Sequence, residues 1–225
     1  MTQTTWNVEL HSHTHWSTDC LTRFEEIITI CQRRGVDKIA ITDHNTADGA
    51  LAFQQIAPQL VIAGEEIFTT KGELLAYFVT ETIPQGLTPE ETIKRLRDQG
   101  AIISVSHPFD RNRKGAWKQE DLDAIIDQVD AIETFNARCL SAAENEAALK
   151  YAKANNLCGT VGSDAHTPME YGTATQRMTP FTNADEFRQA LAQAQPLTAL
   201  SPFYVHFGSK FAKWTRDRGF IRQPR

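Results

Sequence analysis

Short runs of β-branched and apolar residues alternate with amphipathic segments along nearly the whole chain, the pattern of repeated βα units that pack helices on a parallel sheet or barrel. Strands are expected at Val8 to His11, Lys38 to Thr42, Leu60 to Ile67, Leu74 to Thr80, Ala101 to His107, Ala131 to Asn136 and Cys158 to Asp164. Helix signals fall between them. Thr22 with Glu25 reads as a capping box opening a helix that stops at Gly35, where the missing Cβ permits a left-handed turn. Thr88, Pro89 and Glu91 supply a cap oxygen, a first-turn proline and a reciprocal carboxylate, and Gly100 ends that helix. Ser141 to Asn155 and Asn183 to Gln193 complete the set. From Ser201 the alternation stops. Lys210, Lys213, Arg216 and Arg218 stand beside Phe203, Tyr204, Phe207, Phe211 and Trp214, which reads as a terminal segment docked on the barrel wall with its cations solvated.

Composition narrows this to one domain. The chain has 225 residues, 41% hydrophobic and 23% charged, enough for a single substantial core. The expected organisation is one domain over 1–225, with a barrel over about 6–200 and the segment 201–225 packed on it. A net charge of -5 gives no global attraction to polyanions, so duplex DNA is not an expected partner. No apolar run approaches membrane-spanning length and Thr2 to Trp6 is no leader, so the expected location is cytoplasmic and no membrane partner is expected. Cys20, Cys31, Cys139 and Cys158 form no Cys-x-x-Cys pair and read as reduced, buried side chains.

The chemistry lies at the strand ends. His11 and His13 end the first strand, Asp43-His44 follows the second, and Glu65-Glu66 lies near the end of the third. His107 closes a later apolar run, Glu133 sits in the sixth strand, and Asp164 with His166 follows the seventh. In a barrel of parallel strands these ends share one rim, where such folds place active sites. In an extended segment residues two apart project to one side, so His11 and His13 can hold one ion through imidazole nitrogens. Five of the seven histidines at such places would be hard to satisfy without cations. His15 reads as a residue behind the ligands or exposed, and His206 has no evident partner.

The run His11-Ser12-His13-Thr14 with Asp19, then Ile41-Thr42-Asp43-His44-Asn45, Gly64-Glu65-Glu66-Ile67, His107-Pro108 and Gly162-Ser163-Asp164-Ala165-His166 resembles the polymerase and histidinol phosphatase (PHP) family of phosphoesterases. The resemblance covers about residues 6–190. It implies a distorted barrel of seven βα units, a (β/α)7 fold of the PHP type, with a metal centre at the C-terminal ends of the strands. It also implies three ion sites. One would use His11, His13, Glu66 and Asp164; Glu66 would bridge to a second that also takes His107; Asp19, His44 and His166 would hold the third. Many members carry a histidine after the bridging glutamate, where this chain has Glu73 in Gly72-Glu73-Leu74. Glu73 can serve as an oxygen ligand there, which favours manganese or iron over zinc. Glu133 is the competing candidate, either as ligand or as the partner that orients a ligating histidine.

Charge sets the expected substrate. Three divalent ions bring +6 and Asp19, Glu66, Glu73 and Asp164 remove four, leaving about +2 for an anion with several acceptor oxygens. The expected function is hydrolysis of a phosphate ester, of a nucleotide or other small phosphorylated metabolite, using two or three divalent ions (manganese, zinc or iron). The expected nucleophile is a metal-activated water held by Glu66, Asp164 and His107. Arg111 and Arg138 are the candidate phosphate contacts and Trp117 a candidate for stacking on a base or capping the pocket. Three alternatives stay open: an exonuclease on short single-stranded oligonucleotides, a noncatalytic metal-binding PHP module, and an amidohydrolase. The last lacks a well-placed lysine at a later strand end.

Overall fold

A computed structural model describes residues 4–113, 115–222 and 224. Seven strands appear where the apolar runs fall: β1 (Trp6–Glu9), β2 (Lys38–Ile41), β3 (Val61–Phe68), β4 (Glu73–Tyr77), β5 (Ile102–Val105), β6 (Ala131–Asn136) and β7 (Cys158–Gly162). Two more follow, β8 (Ala174–Met178) and β9 (Gln195–Thr198). The helices are α1 (Phe24–Arg34), α2 (Asp48–Ile56), α3 (Pro89–Asp98), α4 (Gln119–Asp123), α5 (Ala142–Ala154), α6 (Ala184–Leu191) and α7 (Val205–Asp217).

The strands form one sheet in the order β7-β6-β5-β4-β3-β2-β1-β8-β9. The segments that follow β1 and β7 meet through a parallel bridge between Ser12 and Ala165, so strands β1 to β7 make a nearly closed barrel, with β8 and β9 continuing the sheet beyond β1. Asp164 N–H donates to the carbonyl of His11 at 2.8 Å and His13 N–H to that of Ala165 at 3.0 Å, which carries the closure into the histidine-bearing segments. The barrel is not all parallel. β4 runs against both β3 and β5, because the connection from Phe68 to Glu73 is too short for a crossover and makes a hairpin instead. That reversal puts the start of β4, and therefore Glu73, on the rim where the other strands end. β8 is also antiparallel, to β1 and to β9.

Strand alternation divides the apolar residues between two cores. Val8, Ala40, Ile62, Leu75, Tyr77 and Ile102 belong to one cluster, completed by Met178, Phe181 and Phe187. Ile39, Ile41, Val61, Leu74 and Ile103 belong to the other, packed with residues of the first three helices. Phe187 of α6 meets the Tyr77 ring at 5.7 Å, at the end of the barrel away from the histidines.

Two sequence expectations need correction. The first helix is capped one residue later than Thr22: Arg23 N–H donates to the Glu26 carboxylate at 2.9 Å, while the Thr22 carbonyl accepts from His15 N–H at 3.0 Å. Gly35 does end that helix at φ +65°, and Thr88 caps α3 by accepting from Glu91 N–H at 3.2 Å. The second concerns the segment after Ser201. It forms α7, which lies over the rim rather than the wall, with small residues inward and aromatic rings outward: Val205, Ala212 and Thr215 are buried, whereas Phe207, Phe211 and Trp214 are exposed.

Candidate metal centre

The first strand delivers His11 and His13 side by side, and each ring is fixed by its far nitrogen. His11 Nδ1 lies 2.8 Å from Glu133 Oε1, and His13 Nδ1 lies 3.2 Å from Ser17 Oγ. Both Nε2 atoms are thereby aimed at one point, 3.2 Å apart. Asp164 Oδ1 is 3.1 Å from His13 Nε2 and 3.6 Å from His11 Nε2; Glu66 Oε2 is 3.3 Å from His11 Nε2 and 3.5 Å from His13 Nε2. A tetrahedron of donors with bonds of about 2.1 Å has edges of about 3.4 Å. These five separations, 3.1 to 3.6 Å, lie close to that edge length.

Two further groups adjoin this one. Glu66 Oε1 accepts from Ser106 Oγ at 2.7 Å and lies 3.1 Å from His107 Nε2, which is 3.5 Å from Glu73 Oε2. Asp19 Oδ2 lies 3.3 Å from His166 Nε2 and 3.6 Å from His44 Nε2. His44 also turns Nδ1 toward Glu66 Oε2, at 2.9 Å, so its ring stands between the first and third groups. Sets of donors within 4.8 Å of one another include His11, His13 and Glu66; His13, His44 and His166; and His44, Glu66 and Glu73.

The donors fit divalent ions on three observations. Glu66 Oε2 is buried among three imidazole nitrogens yet makes no hydrogen bond, and Asp19 Oδ1 and His107 Nδ1 are likewise buried without one. Such orphaned atoms are costly unless something else satisfies them. Burial disfavours charge on His11 and His44, yet Glu66 with Glu133 and Asp164 around His11, and Asp19 with Glu66 around His44, hold both imidazoles well above their ordinary range. Burial, with His166 and His44 beside it, pushes His13 well below. The cluster demands positive charge, and ligation would supply it in place of protons.

Local backbone builds the rim. Asp164 and His107 take positive φ, +54° and +22°, as does Asn45 at +56°. Such conformations cost about 1–3 kcal/mol each and persist where surroundings over-determine them. Asp43 is not a ligand: Oδ1 accepts from Thr14 N–H at 2.6 Å and Ser17 Oγ at 2.7 Å, and Oδ2 from Thr14 Oγ1 at 2.7 Å. It braces the His13–Ser17 turn. Glu65 points the other way, accepting from Ile83 N–H at 2.9 Å, and burial raises its carboxyl to about 8.

Glu133 stands behind the clustered histidines. Besides His11 Nδ1 it receives His107 N–H at 2.8 Å and Asn136 Nδ2 at 3.1 Å. The register shift between Glu133 and Phe135 bends β6 at this point. Glu73 is on the site side and is placed by close packing. Trp117 Nε1 donates to the Glu73 carbonyl at 3.1 Å, and a Cβ on Gly115 would come within 2.3 Å of Glu73 Oε2. Trp117 is therefore a buried support, not a cap over the pocket.

A cavity of 340 Å³ opens above Asp19, His44 and His166, lined also by Arg113, Arg138 and residues of α7. Arg111 is exposed and is not one of the lining residues. The turn from Asp110 instead directs Arg113 inward, where Nη2 donates to Asp164 Oδ2 at 2.6 Å and Nε to Asp110 Oδ2 at 2.9 Å. Lys114, in the same basic loop, lies outside the described residues. Arg138 reaches the cavity; it donates to Ser209 Oγ at 2.8 Å and lies 3.4 Å from Glu170 Oε1. His206, without an evident partner in the sequence, sits 3.3 Å from Arg138 Nη2 on the cavity wall. His15 packs on Phe24 with ring centroids 4.8 Å apart.

A nearly closed α/β barrel whose rim gathers histidines and carboxylates into adjoining donor sets defines a class of barrel with its candidate site at the strand ends. The comparisons place the chain within it. A family model described as PHP-associated matches residues 142–196. An uncharacterized protein of Methanocaldococcus jannaschii is 34% identical over 143 residues, covering 57% of this chain and 81% of that protein. A second from the same organism is 35% identical over 170 residues, covering 74% and 68%. Among solved structures, a two-domain Bacteroides vulgatus protein containing a predicted PHP-like metal-dependent phosphoesterase superposes with a TM-score of 0.69 at 18% identity, over 93% of this chain and 70% of that one. The chain belongs to the PHP family, and its fold is that of PHP-like barrels. Among the described residues no helix is long and apolar enough to cross a membrane.

Proposed function

We propose that this protein hydrolyses a phosphate ester of a nucleotide or other small phosphorylated metabolite, with divalent ions held by His11, His13, Asp19, His44, Glu66, Glu73, His107, Asp164 and His166. The observation that carries the reading is Glu66: one buried carboxylate whose two oxygens face different imidazoles, Oε2 toward His11, His13 and His44 and Oε1 toward His107. A carboxylate so placed could serve two cations, one through each oxygen.

When bound, such ions supply Lewis acidity for phosphoryl oxygens and lower the pKa of water. The chain's own residues do the rest. Glu133 holds the His11 tautomer that leaves Nε2 free, and Ser17 does the same for His13. Arg113, aimed past Asp164 into the cavity, offers a planar guanidinium to phosphate oxygens. Arg138, clamped between Glu170 and Ser209, fixes a second positive charge on the same wall. The 340 Å³ cavity accepts a small ligand, at the lower end of the range for such sites. Its donor set of imidazoles and carboxylates suits manganese, iron or zinc, and Glu73 in place of a further nitrogen leans toward the first two.

A noncatalytic module is disfavoured by the completeness of the donor set. The test is phosphate release from a panel of mononucleotides, sugar phosphates and bisphosphates, with each metal restored to chelator-treated protein. Activity should require metal and be lost in His11→Ala and Glu66→Ala. Full activity in either variant would refute the mechanism.

A further inference from the structure

Helix α7 sits at the cavity mouth and is anchored by its inner face. Ser209 accepts from Arg138 Nη2 at 2.8 Å, and Arg216 Nη2 donates to the carbonyls of His15 at 2.5 Å and Cys20 at 3.0 Å. Its outer face carries a stripe that the fold does not use. Phe207, Phe211, Trp214 and Arg218 recur at spacings of four, three and four, which sets them along one side of the helix. Phe203 just before it is 65% exposed, Phe207 61%, Phe211 59% and Trp214 46%. Phe203 meets Phe207 edge to face at 5.8 Å, Phe211 stacks on Trp214 at 6.0 Å, and the Arg218 guanidinium lies 5.7 Å from the Trp214 ring.

The stripe is continuous with the donor cluster. Phe203, His206, Phe207 and Lys210 line the same cavity as Asp19, His44 and His166. From Phe203 to Trp214 the helix rise amounts to about 16 Å, a length that several stacked bases can span. Charge identifies the occupant. Lys210, Lys213 and Arg218 flank the rings and α7 has one carboxylate, Asp217, in a chain whose net charge is -5. Exposed rings interleaved with cations are how proteins hold single strands, the bases stacking and the phosphates pairing. A second copy of the chain, related by a two-fold axis, would set these cations against themselves. A lipid surface pressed on the stripe would lie across the cavity mouth.

We propose that α7 is a docking track for a short single-stranded nucleic acid, leading one end of the strand to the donor cluster. What happens to that end rests on the hydrolase reading; the binding does not.

The experiment measures anisotropy of fluorescein-labelled hexathymidylate with the full chain after chelator treatment, so that no turnover occurs. Binding should weaken as salt rises. It should weaken about 10-fold or more in Phe211→Ala and in Trp214→Ala, and recover in Trp214→Phe. Circular dichroism checks that each variant stays folded. Absence of binding, binding indifferent to both alanine variants, or equal affinity for a hairpin duplex would overturn the proposal. So would Trp214-dependent binding to phosphatidylserine vesicles, or Trp214-dependent self-association in sedimentation, without hexathymidylate binding. Wild-type turnover of small phosphate esters with metal restored is measured in parallel. Track-dependent binding with no ester cleaved would leave docking standing and remove the hydrolase reading; ester cleavage without binding would do the reverse.

Discussion

Glu133 Oε1 lies 2.8 Å from His11 Nδ1, while the other oxygen of the same carboxylate accepts the backbone N–H of His107 at 2.8 Å. One buried side chain on β6 thus orients a donor from β1 and fixes the strand end that carries another. The two imidazoles belong to different side-chain groups of the cluster, and Glu66 lies between them.

The Glu133→Gln variant tests this relationship. The amide keeps the shape but has one oxygen for the donors that two oxygens now receive, so one buried donor is left unmatched at about 1–3 kcal/mol. Metal affinity should fall about 10- to 100-fold, as for other partners behind ligating histidines. Competition with a chromogenic chelator measures it. Unchanged affinity would remove Glu133 from the support of the site.

Gly162 carries a second prediction. A Cβ there would lie 2.2 Å from His11 Cβ, 2.9 Å from Glu133 Oε1 and 3.1 Å from His11 Cα. None of these atoms is the loose end of a flexible side chain; β7 and the end of β1 pack here without room for a methyl group. Gly162→Ala should destabilise the protein by about 1–3 kcal/mol through overpacking. It should also displace His11 and lower metal content. Thermal unfolding with elemental analysis reads both, and a variant of native stability and full metal content contradicts the packing argument.

The clustering was legible because a barrel rim converts sequence position into proximity: His11, His13, His107, Asp164 and His166 each lie at or just past the end of an apolar run. Glu73 was legible as a candidate through its departure from the family pattern, but its place on the rim depends on the reversal of β4. Other features left no such trace. Ala174–Met178 carries Thr, Gln and Arg between its buried ends, so β8 lacks the apolar run that marks the other strands. Glu9 is wholly buried, accepting from the Ser163 and Gly172 backbones, and nothing in Val8-Glu9-Leu10 announces it. α7 inverts the usual rule. Its small residues face the fold and its rings face out, so aromatic content pointed inward when the structure points it to solvent.

Arg113 and Arg111 give the sharpest contrast, because two arginines of one loop differ only in which way a turn sends them. Arg113 N–H reaches the Asp110 carbonyl at 3.4 Å, and its guanidinium joins Asp110 to Asp164 at the cavity edge. Hydrogen bonds to charged groups are worth about 1.5–3 kcal/mol, so Arg113→Ala should raise KM for a phosphate ester about 10- to 100-fold. Arg111→Ala, at an exposed position, should leave it within a factor of about two. Arg113→Lys separates two roles. Lysine keeps the charge but loses the planar fork, so substrate binding should recover only in part. If Arg113 merely steadied Asp164, the alanine variant would lose metal affinity while its KM at saturating metal stayed at the wild-type value. That split, read from steady-state kinetics at two metal concentrations, decides whether Arg113 touches substrate or acts through Asp164.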